Sequence, residues 1–502
     1  MEKYDLTMYK NCNLFDLLVL QANPDIQQRY VAWLAGWDGV HEFREDELLA
    51  LAQMIGRLSL TRNEASGFFY SYSIPQIGKE FDLLRIYEDK TWLNIEIKTQ
   101  KVDDQQIFEQ LNKNAYYLNS VNSSGRAFTF VAETNSFYKI ENNEIVLASP
   151  EEVKAEIISS KGLFTDRIDE LFSPSHFLVS PLNSPMKFLS GNYFLTLQQE
   201  TIKKKILYQL SLPYGANKFI GITGEAGTGK TLLLYDIARQ VSATKRVLIV
   251  HCGMTCQGHE ILNKSMGNCR VVPVKALFYH LSGVKVVFID EAHRLYRYFL
   301  DDLVKWAQTN KVPCVFSFDS NQRIARHEIV GQTSEQILAL TDGNLFKLSC
   351  KIRTNKEIAS FLKALFDLRK KDPSITYSHI HLFYAKDSQE ALAIQKSLVS
   401  QQFTDISFTP STYNPSVLNS LEGTMNTHAV IGQEFEKVVM IIGPQFSYQD
   451  KKLVGIEHPD PDYIFPQLLF QGLTRTRQEL ALIVYDNVDL FSNILSIVER
   501  KA

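Results

Sequence analysis

The sequence predicts an α/β protein in three parts: an N-terminal domain on a mixed sheet, then two lobes built on parallel sheets. Before residue 172, strand-like stretches (GFFYSYSI, EFDLLRI, TWLNIEIKT) are interleaved with helical ones such as EDELLALAQMIGRL. After residue 190, short apolar runs (KFIGIT, RVLIVHC, VKVVFID, VPCVFSF) alternate with amphipathic helical patterns, as parallel βαβ units do. A second block of this kind (HIHLFY, KVVMIIG, LALIVY) follows Phe346. The Ser/Pro-rich stretch SPSHFLVSPLNSPMKF breaks any regular pattern between the first two parts. The expected division is 1–172, a linker at 173–190, a first lobe at 191–345 and a second at 346–502.

Composition narrows the function classes. A chain of 502 residues can hold several domains with real cores, and 45% hydrophobic with 22% charged residues is ordinary for a globular protein. The net charge of −3 gives no global attraction to nucleic acid or membrane, so a polyanion must be gripped by a local cleft. The six cysteines are scattered and form no disulfide framework, which fits a reducing compartment. The cluster HCGMTCQGH, His251 to His259, matches no common zinc spacing and reads as a loop after a strand. No apolar run approaches transmembrane length, and MEKYDLTMYKN lacks the basic-then-apolar order of a signal peptide. A cytoplasmic protein without a membrane partner is expected.

The strongest chemical signal is GITGEAGTGKTLLLYDIARQ. It lies between a strand and an amphipathic helix, as a phosphate-binding loop requires. Gly224, Gly227 and Gly229 let backbone N–H groups wrap phosphate, and the helix N-terminus adds positive potential. Lys230 is expected to reach the β- and γ-phosphates of ATP, and Thr231 to ligate Mg²⁺. VKVVFIDEAHRL supplies the complement: Asp290 for the Mg²⁺ shell and Glu291 to orient or deprotonate the attacking water. The reaction these residues specify is NTP hydrolysis.

The remaining motifs carry a resemblance. VFSFDSNQRI, LSCKIRTN, THAVIGQEFEKVVMIIG and FQGLTRTRQEL follow one another in the order found in superfamily 1 helicases. The likeness spans about 195–500 and is greatest to the compact, Schlafen-like helicase group. It implies two RecA-like lobes and gives further residues roles. Gln322 would sense the γ-phosphate, Arg353 would contact phosphate, and Arg475 would be the arginine finger. Within Leu195-Thr-Leu-Gln-Gln199, Gln199 would read adenine, with Gln198 close behind. His428, Gly432 and Glu434 match the motif that joins nucleic-acid contact to the second lobe. The chain has no room for the large insertions of processive members, so ATP hydrolysis is expected and processive unwinding is not.

The N-terminal part carries a second pattern, in EFDLLRIYEDKTWLNIEIKTQ. Glu80 and Asp82 are two apart on one strand, and so are Glu96 and Lys98 on the next, so each pair shares a face. The plain reading is an exposed hairpin with a stabilising Glu–Lys pair. The order acid, turn, Glu-x-Lys resembles the PD-(D/E)xK nuclease core. That resemblance implies Mg²⁺ or Mn²⁺ held by Asp82 and Glu96, with Lys98 positioning the attacking water. An upstream acid would come from Glu47 or Glu64, a choice the sequence leaves open. Along DQQIFEQLNKNAYYL, Gln110 falls off the apolar stripe: the nuclease resemblance implies a glutamine or lysine of this helix near the metal, and the helix alone favours the plain reading of a surface amide.

The expected function is an ATP-dependent nucleic-acid motor fused to a metal-dependent nuclease, acting on foreign DNA or RNA in the manner of phage defence. The alternative is a nucleic-acid-gated ATPase switch with a non-catalytic N-terminal recognition domain. DNA against RNA stays open, as does assembly as a homo-oligomer or with a partner protein.

Overall fold

The computed structural model describes residues 9–19, 23–35, 45–74, 79–122, 124–159, 161–164, 167–172, 179–191, 193–215, 218–320, 322–325, 328, 330–349, 355–410, 425–455 and 463–499. The chain divides into two compact units, Met1–His176 and Phe177–Ala502. Among the described residues no helix is long and apolar enough to cross a membrane.

The first unit is a seven-stranded sheet whose strands lie side by side in chain order. They are β1 (Cys12–Asn13), β2 (Ser66–Ser73), β3 (Glu80–Ile86), β4 (Trp92–Lys98), β5 (Gly125–Val131), β6 (Ser136–Glu141) and β7 (Glu144–Ala148). All neighbours are antiparallel except β4 and β5. A parallel pair needs a crossover, and a helix over Asp104–Leu118 provides it. Asp103 starts that helix by accepting the Gln105 N–H. With helix α1 at Glu45–Leu58, the crossover helix is α2. Alternation along β4 then sorts its side chains. Leu93, Ile95 and Ile97 enter a core with Leu48, Leu51, Met54 and Ile55 of α1. Each such side chain contributes on the order of 1.5–3 kcal/mol by leaving water. Asn94, Glu96 and Lys98 are thereby sent to the opposite face.

The second unit holds two parallel sheets, in agreement with the expected fold class. The strands of the first are β8 (Phe219–Gly224), β9 (Val247–His251), β10 (Cys269–Pro273), β11 (Val286–Asp290), β12 (Cys314–Phe318) and β13 (Leu345–Leu348). They lie in the order β10-β9-β11-β12-β8-β13. β9, β11 and β12 are buried along their whole length, which is why they read as unbroken apolar runs and not as alternation. β13 pairs with β8, so the first sheet reaches Leu348, past the boundary expected at 345. The second sheet comprises β14 (Ile380–Ala385), β15 (Thr404–Ser407), β16 (Met425–Asn426), β17 (Phe435–Ile442) and β20 (Thr476–Tyr485), with β18 (Phe446–Gln449) and β19 (Lys452–Gly455) forming a separate hairpin. Its order is β14-β20-β17-β15-β16. The lobes are laced together: Ile324, beyond β12, lies in the second lobe's core, and its carbonyl accepts the Ile464 N–H at 3.2 Å.

Candidate active sites

The phosphate loop joins β8 to helix α4 (Lys230–Ser242); helix α3 (Leu197–Ser211) precedes it. Gly227 and Gly229 have φ of 77° and 85°, a left-handed conformation that a side chain would strain. A Cβ on Gly224 would come within 2.7 Å of the Leu348 carbonyl oxygen. Lys230 Nζ donates to the Gly224 and Glu225 carbonyls at 2.7 and 3.0 Å, and lies 3.5 Å from Asp319 Oδ2. Thr231 Oγ1 donates to Asp290 Oδ1 at 3.2 Å. A hydroxyl and a buried carboxylate side by side are donors that suit a hard divalent cation, so this pair fits Mg²⁺.

Sequence reasoning missed three residues here, two that hold Asp290 and one that ties the lobes together. Ser317 Oγ donates to Asp290 Oδ1 at 2.6 Å and accepts the Glu291 N–H at 3.3 Å. His251 Nδ1 lies 3.3 Å from Asp290 Oδ2, which accounts for the first histidine of HCGMTCQGH. In the same cluster, His259 Nδ1 accepts the Cys256 N–H at 3.0 Å. Among the described residues, no group of three or more His, Cys, Asp and Glu is arranged for a metal. Arg294 is the third: its Nη1 reaches Glu328 at 3.1 Å and its Nη2 reaches Gln471, from the second lobe, at 3.3 Å.

Glu291 follows β11 in a left-handed conformation, φ 57°, unusual for a residue other than glycine. Burial opposes its charge. His293, Arg294, Lys230 and Arg475 outweigh that and hold the carboxyl well below the usual range. Its Oε2 accepts no hydrogen bond among the described residues, although His293 Nε2 and Arg294 Nε are each 3.5 Å away. An ionised, buried carboxylate with a free acceptor is equipped to orient a water, while its depressed pKa makes it a weak base for taking the proton.

Gln322 donates to Asp319 Oδ2 at 2.8 Å and accepts from Arg475 Nη2 at 3.5 Å. Arg475 comes from the second lobe, just before β20, and also donates to the Gln433 and Gln471 carbonyls. Gln199 is buried: Thr196 N–H donates to its oxygen, and its Nε2 donates to the Thr228 carbonyl at 3.0 Å. Its amide thus serves the start of α3 and the phosphate loop. Gln198 instead bonds Lys347 and Ser349. Arg353 lies outside the described residues. An apolar cavity of about 450 Å³ lies between the lobes beside Ala226 of the loop, lined by Phe366 and Phe470.

Residues 217–400 match the family model for the Schlafen group 3 DNA/RNA helicase domain. This part of the chain is a helicase-like NTPase core. The match covers less than half of the chain: the first lobe's sheet and the first strand of the second lobe. No curated protein matches. Similar solved structures include a Pif1 helicase from Bacteroides in complex with ADP-AlF3 and ssDNA, at 13% identity and TM-score 0.31, covering 56% of this chain and 91% of that one. Another is a Pif1 helicase from Candida albicans, at 13% identity and TM-score 0.33, covering 61% of this chain and 100% of that one. The architecture of the helicase-like core rests on its own strand order and not on these likenesses.

In the first unit, β3 and β4 pair Leu83 with Ile95 and Leu84 with Asn94. One step further along that register, Asp82 stands opposite Glu96. Asp82 Oδ2 accepts the Ile97 N–H at 2.8 Å. Glu96 is only 1% exposed, so the plain reading of an exposed hairpin face does not hold. Helix α2 covers it. Asn114 donates to Glu96 Oε1 at 2.7 Å, Asn94 donates to the same oxygen at 3.1 Å, and Gln110 donates to Oε2. Gln110 is therefore no surface amide. Burial and the facing Glu96 push Asp82 up to about 7, against the Ile97 N–H and the Lys98 ammonium. Asp82 is half-buried and faces the buried Glu96; two carboxylates this close ionise together more readily with a cation between them, which is the donor chemistry of an Mg²⁺ or Mn²⁺ site. Glu47 acts on the Tyr70 hydroxyl, which also feels Asp82. Glu64 is turned elsewhere: it accepts the Thr61 N–H at 2.6 Å and lies 3.6 Å from Lys154 Nζ.

Proposed function

We propose that the chain is an NTP-driven nucleic-acid motor joined to a metal-dependent nuclease. The observation that carries the motor is the chain of contacts Lys230–Asp319–Gln322–Arg475, which runs from the phosphate loop to the second lobe. Lys230 and the loop N–H groups bind the β- and γ-phosphates, and Thr231 and Asp290 hold Mg²⁺, which neutralises phosphate charge when bound. Glu291 takes or orients the proton of the attacking water. Arg475 stabilises charge on the transferring phosphoryl group, so hydrolysis is tied to closure of the lobes. Arg353 is assigned a phosphate contact on the motif alone. The base of the NTP is assigned to the apolar cavity beside the loop, at Phe366 and Phe470; Gln199 keeps one amide N–H and one lone pair beyond its bonds to Thr196 and Thr228.

The nuclease reading is supported by the facing carboxylates of the half-buried Asp82 and the buried Glu96. These residues would hold Mg²⁺ or Mn²⁺, which supplies polarisation of the scissile phosphate. Lys98 orients the attacking water or offsets developing charge, and Glu47 is the better-placed upstream acid. The domains we assign are a nuclease-like domain before the Ser/Pro-rich stretch and two RecA-like lobes after it. Family resemblance favours a role against foreign DNA or RNA inside the cell.

The test is steady-state NTP hydrolysis with and without single-stranded DNA or RNA. The expected result is hydrolysis stimulated by a strand and abolished in Lys230→Ala. Wild-type hydrolysis indifferent to every strand overturns the motor.

A further inference from the structure

The parallel sheet of the first lobe has two ends. Ligands of open α/β sheets bind at the C-terminal ends of strands, where Lys230 and Asp290 lie. The other end carries a pattern that the nucleotide site does not use. Lys218, Arg246 and Lys285 immediately precede β8, β9 and β11, Lys311 lies three residues before β12, and Arg270 is the second residue of β10. In sheet order, five neighbouring strands each present one cation: Arg270, Arg246, Lys285, Lys311, Lys218.

These charges line two adjoining cavities. One, of about 680 Å³, is lined by Lys218, Arg246, Lys285 and Lys311 together with Lys245. The other, of about 520 Å³, shares Arg246 and adds Arg270. The described lining of both includes no Asp or Glu. Among the described residues, none of the five cations of the row makes an ion pair. Lys245 Nζ donates to the Leu210 carbonyl at 2.9 Å, and Lys218 Nζ lies 3.8 Å over the Tyr214 ring, a contact that leaves its charge unneutralised. His280 titrates below its ordinary range, through desolvation and the nearby Arg270 and Arg246 charges, as expected of an uncompensated positive field. In a chain of net charge −3, such a concentration at one sheet edge is a local cationic site.

Its length decides between ligands. Four inter-strand steps of about 4.8 Å make a row about 19 Å long. The phosphates of one nucleotide cannot span it, whereas successive phosphates of a strand can. We propose that this row is a second nucleic-acid contact, which holds the phosphate backbone of a DNA or RNA strand at the end of the first lobe remote from the NTP site. The proposal rests on reading the chain as a nucleic-acid motor. Contacts to backbone phosphates position a strand without reading its sequence, which suits a motor that must move along it.

The test is fluorescence anisotropy of labelled oligo-dT and oligo-U, titrated with wild type and with the triple variant Arg246→Gln/Arg270→Gln/Lys285→Gln at several salt concentrations. The expected result is affinity weakened by about tenfold and a salt dependence shallower by about 2 in log–log slope, roughly 0.7 for each phosphate that is no longer neutralised. NTP hydrolysis without nucleic acid should be unchanged, which reports that the variant folds. Unchanged affinity and slope in a variant that still hydrolyses NTP overturn the second contact and leave the motor standing. A wild type that binds neither oligonucleotide removes the motor reading itself, and the second contact with it. A variant that loses binding of tripolyphosphate but keeps the strands would assign the row to a small polyanion, and so overturn the strand.

Discussion

Arg475, immediately before β20 of the second lobe, reaches the side-chain oxygen of Gln322 in the first lobe at 3.5 Å. The other end of the Gln322 amide holds Asp319, which in turn faces Lys230. One amide therefore stands between the charge that would grip the γ-phosphate and the charge that would stabilise its transfer. Arg475→Ala should lower kcat by about 10³-fold with little change in the KM for NTP. Parallel losses in kcat and nucleotide affinity would make Arg475 a binding residue.

Lys230→Ala should abolish NTP hydrolysis while leaving the thermal unfolding temperature within a few degrees of wild type. The lysine bonds two loop carbonyls and faces Asp319. Residual hydrolysis at the wild-type rate would place the site elsewhere.

Arg294 joins Glu291, Glu328 and Gln471, so its loss should act on both stability and pH response. Arg294→Gln leaves the buried Glu328 carboxylate without its cation, a destabilisation of about 3–5 kcal/mol by analogy with broken buried pairs. It also removes one of the charges that hold Glu291 below its ordinary range. Glu291 must be ionised to act, so rate is lost as pH falls through its pKa. In wild type that loss lies in strong acid; in the variant it should move to higher pH. A pH–rate profile with an unmoved acid limb would free Arg294 from this role.

Much of the candidate nucleotide site was legible because glycines, a lysine and a DE pair at fixed spacing carry their chemistry locally. Ser317, His251 and Arg294 were not legible, since their importance comes from which strands lie side by side. β11 next to β9 and β12 brings His251 and Ser317 to Asp290, and no local pattern announces that order. In the first unit, alternation put Glu96 and Lys98 on one face. Only the register of β3 on β4 sets Asp82 against Glu96. The surface reading of Gln110 fails because helical periodicity reveals an apolar stripe and is blind to a half-buried polar side chain turned onto a carboxylate. Gln199 shows the converse: its place in a motif is legible, and its bonds to Thr196 and to the Thr228 carbonyl are not.

Asn114 donates to both Glu96 and Asn94 from helix α2. Asn114→Ala should destabilise the protein by about 1–3 kcal/mol, because a buried carboxylate oxygen is deprived of a donor. Asp82→Asn should do the opposite without metal, since one of two facing carboxylates becomes neutral and its oxygen can still accept the Ile97 N–H. Chemical denaturation of both variants in EDTA checks the pair. Equal destabilisation by both would mean that Asp82 and Glu96 do not strain each other.

The most direct measurement is cleavage of end-labelled DNA and RNA by wild type and Asp82→Asn, with Mg²⁺ or Mn²⁺ and with or without ATP. The account predicts metal-dependent cutting by wild type, and none by Asp82→Asn, whose strand-stimulated NTP hydrolysis persists. Equal cutting by the two proteins, or none by wild type on any strand with either metal, would contradict it and leave the first unit a recognition domain beside the motor.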